Sequence, residues 1–576
     1  MEPNPGGGPV CQFGAYEFDG SSLELRKSGR KIKLAPQPAR VLGLLVSQPG
    51  EFVSRDEMRR QLWGGQTFVD FEPNLNYCLT CIRRVLGDNP RRPRYIETLP
   101  RRGYRFIGEI VPALTPAERS LAVLPFENLN HDPELEFLAD SMADALITHL
   151  GKAPSLRVIS RQSVLYLKNS RDSMAEIARR LRVGTVVEGS VLRVAGRLRV
   201  TVQLIGVSPE RHLWAESYDR CFDDLLELQN QVASDVAARI HATIAPVKQE
   251  KRPSPLVRPE AHLAYLKGQY HTETQTPQGA WKGLEYHRQA IAIDPGYAAP
   301  LAGMAQAYVT LGWWGFMPYA EAYPMAREAA LKALAIDESL SRAHQSLHFI
   351  YWVGDWKLEE AEREGRRAVE LSPNDSQAHW NLAMFLAVVR KRAAEALGEA
   401  RLAVDLDPLS RYINTQAAWV PLHLGRYDLA SQQARQALEL FPDALHAWNV
   451  LGQCELARHR FPEALAFFQK AATISQDPIT LSYVGHTYAR LGDRAEAEKV
   501  LDALLSKAQD HYVIPRSLLW IYIGLGDFDR AFDLIEERFE RRDGFLWWLR
   551  SVPWFDPLRS DPRFSALVQR MGFPAG

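Results

Sequence analysis

The chain has 576 residues, 46% hydrophobic and 24% charged, with 69 basic and 69 acidic side chains. That length and apolar fraction point to several globular domains and exclude a wholly disordered chain; the formal net charge of zero excludes a uniformly basic coat for nucleic acid. Five cysteines are too sparse and odd a set for a disulfide-built secreted domain, and no stretch nears the roughly 18 apolar residues of a membrane helix, so a soluble, cytoplasmic protein without membrane contact is expected.

The charge is unevenly spread. Residues 1–112 hold 17 basic and 12 acidic side chains, a balance of +5, which leaves −5 for the remainder. Basic surface is therefore local to the first domain.

In chain order, residues 1–10 (MEPNPGGGPV) lack the basic start and apolar core of a signal peptide and read as a flexible leader. Phe13 to Leu34 alternates like a β-sheet with turns at Gly20 and Gly29, and Pro36 opens a helix. Gln37 to Ser47 should bury Val41, Leu42, Leu44 and Leu45 before Pro49-Gly50 ends it. Ser54 and Glu57 have capping-box spacing for a helix running to Leu62. In the third helix Leu75, Leu79, Ile82 and Leu86 recur at helical spacing and form one buried stripe. The other stripe carries Asn76, Tyr77, Thr80, Arg83 and Arg84, whose amide, hydroxyl and guanidinium groups suit base edges and phosphates. Gly87 stops this helix.

The next stretch, RYIETLPRRGYRF, holds two β-prone runs, Tyr95 to Leu99 and Tyr104 to Ile107, around the tip Pro100-Arg101-Arg102-Gly103. From Arg83 to Arg105 there are eight basic residues against two acidic ones. Helix, stop and basic hairpin follow in the order a winged helix requires, and double-stranded DNA is the expected partner. Cys78 and Cys81 share a C-x-x-C spacing, but no second ligand pair lies nearby, so they are read as lining the flank of the helix, not as a metal site.

The segment from about Cys11 to Ile110 resembles the OmpR/PhoB-type winged-helix DNA-binding domain. GAYEFDGSSLEL, LAPQPARVLGLLVSQPGEFVSRDEMRRQLW, LNYCLTCIRRVLGD and above all YIETLPRRGYRF carry the resemblance. It implies that the third helix enters the major groove through Asn76, Tyr77, Thr80 and Arg83, while Arg101 and Arg102 on the wing reach the adjacent minor groove. Thr80 and Cys81 stand where many members of that family carry arginines. No phosphoacceptor domain is expected ahead of the winged helix, which points to a one-component regulator.

After the link at 111–116, residues 117–245 read as a small mixed α/β domain. Strands are expected at Ser120 to Phe126, Leu156 to Ser160, Thr185 to Val194, Leu198 to Val207 and His212 to Tyr218, with a tight Ala195-Gly196 turn. Helices are expected at Glu134 to Leu150, Met174 to Leu181 and Leu225 to Ile244. SLAVLPFENL, DPELEFLADSMADALITHL, LRVISRQS, IARRLRVGTVVEGSVLR, LRVTVQLIGV and HLWAESYDR resemble the TolB amino-terminal-like domain, read here as a sensory or coupling module or a structural connector. His212, Trp214 and Tyr218 alternate and should share one packed face. A proline-rich linker occupies 246–258.

From 259 to 541 the chain repeats itself. Prolines that follow helix ends fall at 295, 373, 408, 442 and 478, so the last three steps are 35, 34 and 36; the 78-residue first interval is a double step with an insertion near GWWGFMPYAEAYP. Trp448, Leu451, Gly452, Ala464, Phe468 and Ala471 match the tetratricopeptide pattern, in about eight repeats. Small residues such as Gly425, Ala430 and Ala437 are expected to let paired helices approach. Such a solenoid offers a concave groove to a protein or peptide partner. His344 and His348 are read as structural because Gln345 replaces the Glu of a zinc-protease motif. The aromatic tail, in 542–576, is read as a cap on the last repeat.

The fold class is thus multidomain α+β and all-α: a winged helix-turn-helix at 11–112, the α/β domain, and a C-terminal α-solenoid. No cofactor, metal or catalytic set is expected, and the chain is not read as an enzyme. The reading is a DNA-binding transcriptional regulator with a partner-binding tetratricopeptide region and a possible homodimer on DNA. The alternative is an interaction scaffold whose winged helix does not read DNA sequence. The basic wing and polar helical stripe discriminate between them.

Overall fold

The computed structural model describes residues 11–63, 71–112, 119–244 and 257–573 apart from short interruptions. The leader, the greater part of both linkers, Gly29, the Ala195-Gly196 turn and Arg101 lie outside the described residues. Two compact units result, 1–118 and 119–576.

In the first unit, β1 (Cys11–Phe13), β2 (Tyr16–Asp19), β3 (Glu24–Lys27) and β4 (Arg30–Ile32) form an antiparallel meander, with β8 (Val111–Pro112) added beside β1. Helix α1 (Pro36–Ser47) starts at Pro36 and buries Val41, Leu42, Leu44 and Leu45, as its spacing predicts. A strand not anticipated from the sequence, β5 (Phe52–Ser54), precedes α2 (Arg55–Trp63). Three residues of alternation give too short a pattern to be read without their partner. Ser54 Oγ accepts Glu57 N at 3.1 Å, so the expected cap forms. Helix α3 (Phe71–Leu86) buries Leu75, Leu79, Ile82 and Leu86 against Phe13, Phe18, Leu42 and Phe106. The wing, β6 (Ile96–Leu99) and β7 (Gly103–Phe106), completes a three-stranded sheet in the order β5-β7-β6.

The second unit begins with a six-stranded sheet. Strand β9 (Ser120–Val123) runs parallel to β11 (Arg157–Val158) and β12 (Thr185–Val194); β12, β13 (Arg197–Val207) and β14 (Glu210–Cys221) are antiparallel, and β10 (Glu127–Asn128) joins β12. Helices α4 (Pro133–Gly151) and α7 (Leu225–Ile244) pack on the sheet and on each other, while α5 (Arg161–Leu165) and α6 (Met174–Leu181) accompany the core of Ala122, Val164, Ala178 and Val186. A register shift between Leu204 and Ile205 opposes Trp214 and His212 to adjacent residues, and the alternation breaks there. The shared packed face expected for His212, Trp214 and Tyr218 is therefore not formed: His212 is exposed, Trp214 half-buried and only Tyr218 buried.

Among the described residues eight helix pairs follow: 259–272 with 277–293, 298–313 with 319–336, 341–355 with 358–371, 376–390 with 393–406, 411–423 with 427–440, 445–457 with 461–474, 478–491 with 494–510, and 515–525 with 528–540. Ala430, Ala437, Ala497 and Ala531 are buried where paired helices meet. Gly425, Gly492 and Gly526 have a different role from the expected close approach: each takes a positive φ of 70–87° and has open space where a Cβ would be, so what matters there is the left-handed turn. His344 and His348 go to different partners, His344 Nδ1 to Glu364 Oε2 at 2.6 Å and His348 Nδ1 to the Ala361 carbonyl at 2.7 Å.

The aromatic tail divides in two. Helix 562–570 covers the last pair, with Arg563 against Phe532 and Asp529 and Arg570 against Phe539 and Glu536. The preceding 3-10 turns, 544–550 and 553–558, do not cap that pair alone. Trp547 Nε1 donates to the Trp352 carbonyl and Trp554 Nε1 to Gln453 Oε1, each at 3.0 Å, and Ser551 Oγ lies 2.9 Å from His423 Nδ1. This segment crosses from the third pair to the sixth and covers part of the expected open groove. Burial of large indole surfaces favours that path.

The second and third segments, expected to be separate units, share an interface. Asn374 Oδ1 accepts Val158 N at 2.9 Å and its Nδ2 donates to the Gly151 carbonyl at 3.0 Å. Asp407 Oδ1 accepts both Ser163 N at 3.1 Å and Ser163 Oγ at 2.5 Å, and Leu409 N donates back to Ser163 Oγ at 2.8 Å. Burial pushes the Asp407 carboxyl up to about 6, against the hydrogen bonds that favour its charged form.

Candidate nucleic-acid interface

Because α3 buries one stripe in the core, its other stripe faces outward. Asn76, Tyr77, Thr80 and Arg84 are all exposed on it, Tyr77 by 63%. Thr80 Oγ1 donates to the Asn76 carbonyl at 2.8 Å. Hydrogen bonding to the Cys81 thiol raises the Tyr77 hydroxyl above its usual 10.0, so it stays protonated at neutral pH. Cys78 and Cys81 are themselves buried, and burial raises the Cys78 thiol.

Arg83 departs from the sequence expectation. It is half-buried, and its Nη2 donates to the Ile96 carbonyl at 2.9 Å and to Thr98 Oγ1 at 2.7 Å. Its guanidinium thus fastens α3 to the wing, away from the outward stripe. At 3.6 residues per turn, a step of three from Thr80 lands toward the hairpin, whereas the step of four to Arg84 stays on the exposed line.

Asp88 completes this fastening. Gly87 takes φ 60° and ends α3, and Asp88 N returns to the Arg83 carbonyl at 2.9 Å. The Asp88 carboxylate, buried to 7% exposure, then accepts three amides: Arg94 N at 2.6 Å, Tyr95 N at 3.2 Å and Ile96 N at 3.0 Å. Sequence reasoning counted Asp88 only as a charge within the basic run. Its place directly after the helix-stopping glycine was the available signal, since Asp there can satisfy the amides of a returning chain.

The bracing roles of Arg55, Glu72 and Tyr104 were missed for want of a local pattern. Arg55 pairs with Glu72 and donates to the Tyr104 hydroxyl at 2.8 Å, and that hydroxyl donates to Asn76 Oδ1 at 3.4 Å. This chain of contacts ties the starts of α2 and α3 to the inner strand of the wing. Gly103 has no room for a side chain, because a Cβ would strike the Val53 carbonyl of β5. At the wing, Arg102 is exposed with its guanidinium 5.2 Å from the Phe52 ring centroid. Arg91, Arg92 and Arg94 are exposed between α3 and the wing. A polar helical stripe and a basic hairpin thus belong to one braced frame, an arrangement suited to base edges and phosphates together.

The architecture is a winged-helix domain, a mixed α/β layer and an array of helix pairs. Residues 29–106 match the family "Transcriptional regulatory protein, C terminal", 117–235 the family "HilA/YgeH-like transcriptional regulator, second domain", and 416–478 the family "Tetratricopeptide repeat". The chain carries an OmpR/PhoB-type domain, a HilA-like regulator domain and tetratricopeptide repeats; the second match covers most of the segment that resembles the TolB amino-terminal-like domain.

Three relatives are informative. A putative adenylate cyclase 3 of Rhizobium meliloti is 32% identical over 329 residues, 55% of this chain and 53% of that protein. The transcriptional regulator HilA of Salmonella typhimurium is 28% identical over 363 residues, 60% of this chain and 62% of HilA. The cholera toxin transcriptional activator of Vibrio cholerae is 32% identical over 98 residues, 16% of this chain and 33% of that protein. The chain therefore spans between half and two thirds of the length of the first two.

Proposed function

We propose that this protein is a DNA-binding transcriptional regulator in which α3 reads base edges in the major groove while the wing holds phosphate or the adjacent minor groove. The observation that carries the reading is the outward stripe of Asn76, Tyr77, Thr80 and Arg84, braced to a basic wing by Arg83 and Asp88. Arg102 is assigned to the wing contact on its place in the hairpin, and Arg101, which lies outside the described residues, on its sequence position beside it. The matches to transcriptional regulatory families support the same reading.

The tetratricopeptide region is the input half, available to a protein partner, with the part of its inner face covered by 544–558 not open to a peptide. A homodimer on paired half-sites is part of the proposal, as is a cytoplasmic setting; among the described residues no helix is long and apolar enough to cross a membrane. The name of the Rhizobium meliloti relative belongs to a protein of which this chain spans 53%, and no catalytic step is assigned here.

The test is recovery of DNA bound by the intact protein across a genome, followed by anisotropy titrations of a recovered fragment and a random duplex. Affinity should fall linearly on a log–log salt plot, with a slope of about −0.9 per phosphate neutralised. Equal affinity for both duplexes, or none, returns the chain to the scaffold reading.

A further inference from the structure

The first helices of pairs two to eight, with Gly544 and Trp548 of the tail, line a cavity of about 750 Å³ in the second unit. A space of that size takes one small organic molecule. Aromatic rings make up much of its wall: Trp313 lies 5.3 Å from Phe349 and 6.2 Å from Trp548, and Trp380 lies 5.5 Å from Tyr412, centroid to centroid.

The charged groups of the wall are already matched within the protein. Arg342 pairs with Glu273 at 3.0 Å, Arg516 has the buried carboxylate of Asp543 as its counter-charge, and Asp477 accepts the amides of Ile479 and Thr480, each at 3.0 Å. Burial lowers the pKa of His446, so its imidazole is neutral at pH 7. A charged occupant would give up its hydration here and meet no unpaired partner.

Four successive first helices each place a carboxamide on this wall, and three of those amides are held at one end only. Gln306 Oε1 accepts Arg342 Nη1 at 3.4 Å, Gln345 Nε2 donates to Asp375 Oδ2 at 2.7 Å and to Ser341 Oγ at 3.3 Å, and Asn381 Oδ1 accepts Gln377 Nε2 at 3.0 Å. The other ends, Gln306 Nε2, Gln345 Oε1 and Asn381 Nδ2, have no hydrogen-bond partner among the described residues, and they are not sealed from solvent. The same holds for both ends of the Gln416 amide and for the indole nitrogens of Trp313 and Trp548. Since the tied end fixes which way each amide points, the row presents donors at 306 and 381 and an acceptor at 345. Carbonyl oxygens and an N–H on one uncharged molecule complement that row, and a secondary amide carries both in a single group.

We propose that this cavity is a binding site for an uncharged aromatic amide, with its ring among Trp313, Phe349 and Trp548 and its amide groups on the carboxamide row from Gln306 to Gln416. Arg342 holds both Gln306 and Glu273, and Glu273 holds Arg161 of α5 at 2.7 Å, so the row is joined to the α/β layer through shared side chains. The site does not rest on the DNA-binding reading, because its occupancy is measured on the protein alone.

The test is calorimetric titration of the full-length protein with N-acetylphenylalaninamide and with N-acetylphenylalanine, which shares the ring and the acetyl group but ends in a carboxylate. The expected result is saturable binding of one neutral amide per chain, with the carboxylate about tenfold weaker. Tryptophan emission should change with the same midpoint, since neither probe contributes to it. Gln416→Leu keeps the bulk of the side chain and breaks no hydrogen bond within the protein, so it should leave the thermal midpoint in place while weakening the amide about fivefold. Trp548→Phe keeps a ring, removes the indole N–H and should weaken the amide by a similar factor. The proposal is overturned if the native chain takes up no amide at one per chain, if the carboxylate binds as tightly as the amide, or if Gln416→Leu and Trp548→Phe both bind the amide as the native chain does.

Discussion

Asp88 Oδ2 accepts the backbone amide of Ile96 at 3.0 Å, so the second residue beyond the candidate recognition helix also fixes the first residue of the wing. Helix and wing are presented as one rigid surface through this contact, and a rigid surface loses less conformational freedom on binding.

Replacing Asp88 with Ala leaves three amides without their acceptor and should destabilise the 1–118 unit by about 3 kcal/mol. Urea denaturation of that unit measures it. A loss well under about 1 kcal/mol would mean that water serves those amides equally well.

The arginines should separate by role. Arg83→Ala should lower the stability of the first unit by about 1–3 kcal/mol, because the Ile96 carbonyl and Thr98 hydroxyl lose a charged donor. Arg84→Ala should leave stability within about 0.5 kcal/mol and cost about 1–3 kcal/mol in DNA affinity that depends on sequence. Arg102→Ala should weaken all sequences alike and reduce the salt slope by about 1. Paired melts and anisotropy titrations check all three, and a sequence-independent loss at Arg84 would remove it from base readout.

Asp407 predicts a pH dependence of the second unit. Its folded pKa of about 6 stands above the ordinary 3.8, so the folded form holds the proton more tightly than the unfolded chain. The stabilisation is fully present below 3.8 and is lost as pH rises toward about 6, with no further change from this residue above that. Stability curves of the native protein and Asp407→Asn, compared from acid to neutral pH, should differ in slope within that window; parallel curves would refute the assignment.

Truncation should succeed at one boundary and fail at the other. A chain ending at residue 118 keeps its own core and should bind DNA. One ending at residue 258 leaves Ser163 without Asp407, Val158 N without Asn374, and Val164 without Leu409 beside it. Its second segment should expose apolar surface and aggregate, measurable by light scattering. A monomeric, cooperatively melting 1–258 chain would show that the α/β layer folds without the solenoid.

Periodicity was a sufficient guide wherever one element's own spacing decides its state. The buried stripes of α1 and α3, the helix stop at Gly87, the limits of α6, β12 and α7, and the repeat length of the solenoid were all legible, because a helix or long strand must hide its apolar positions at fixed intervals. Side-chain destination was not. Arg83 and Arg84 are neighbours of one type, yet one is spent on the wing and the other faces outward. The converse occurs in the repeats, where His344, His379, Asn414 and Trp448 recur at steps of 35, 35 and 34 and each places a side-chain nitrogen 3.0–3.1 Å from the carbonyl six residues before it. Four positions of three residue types do one job there, and two arginines in a row do different ones. The tail shows the same limit: its aromatic composition announced burial, but only the array curving around it determined that Trp547 and Trp554 would reach Trp352 and Gln453. Local spacing fixes which face of an element is hidden, whereas the partner a polar group meets depends on residues brought near by the rest of the chain.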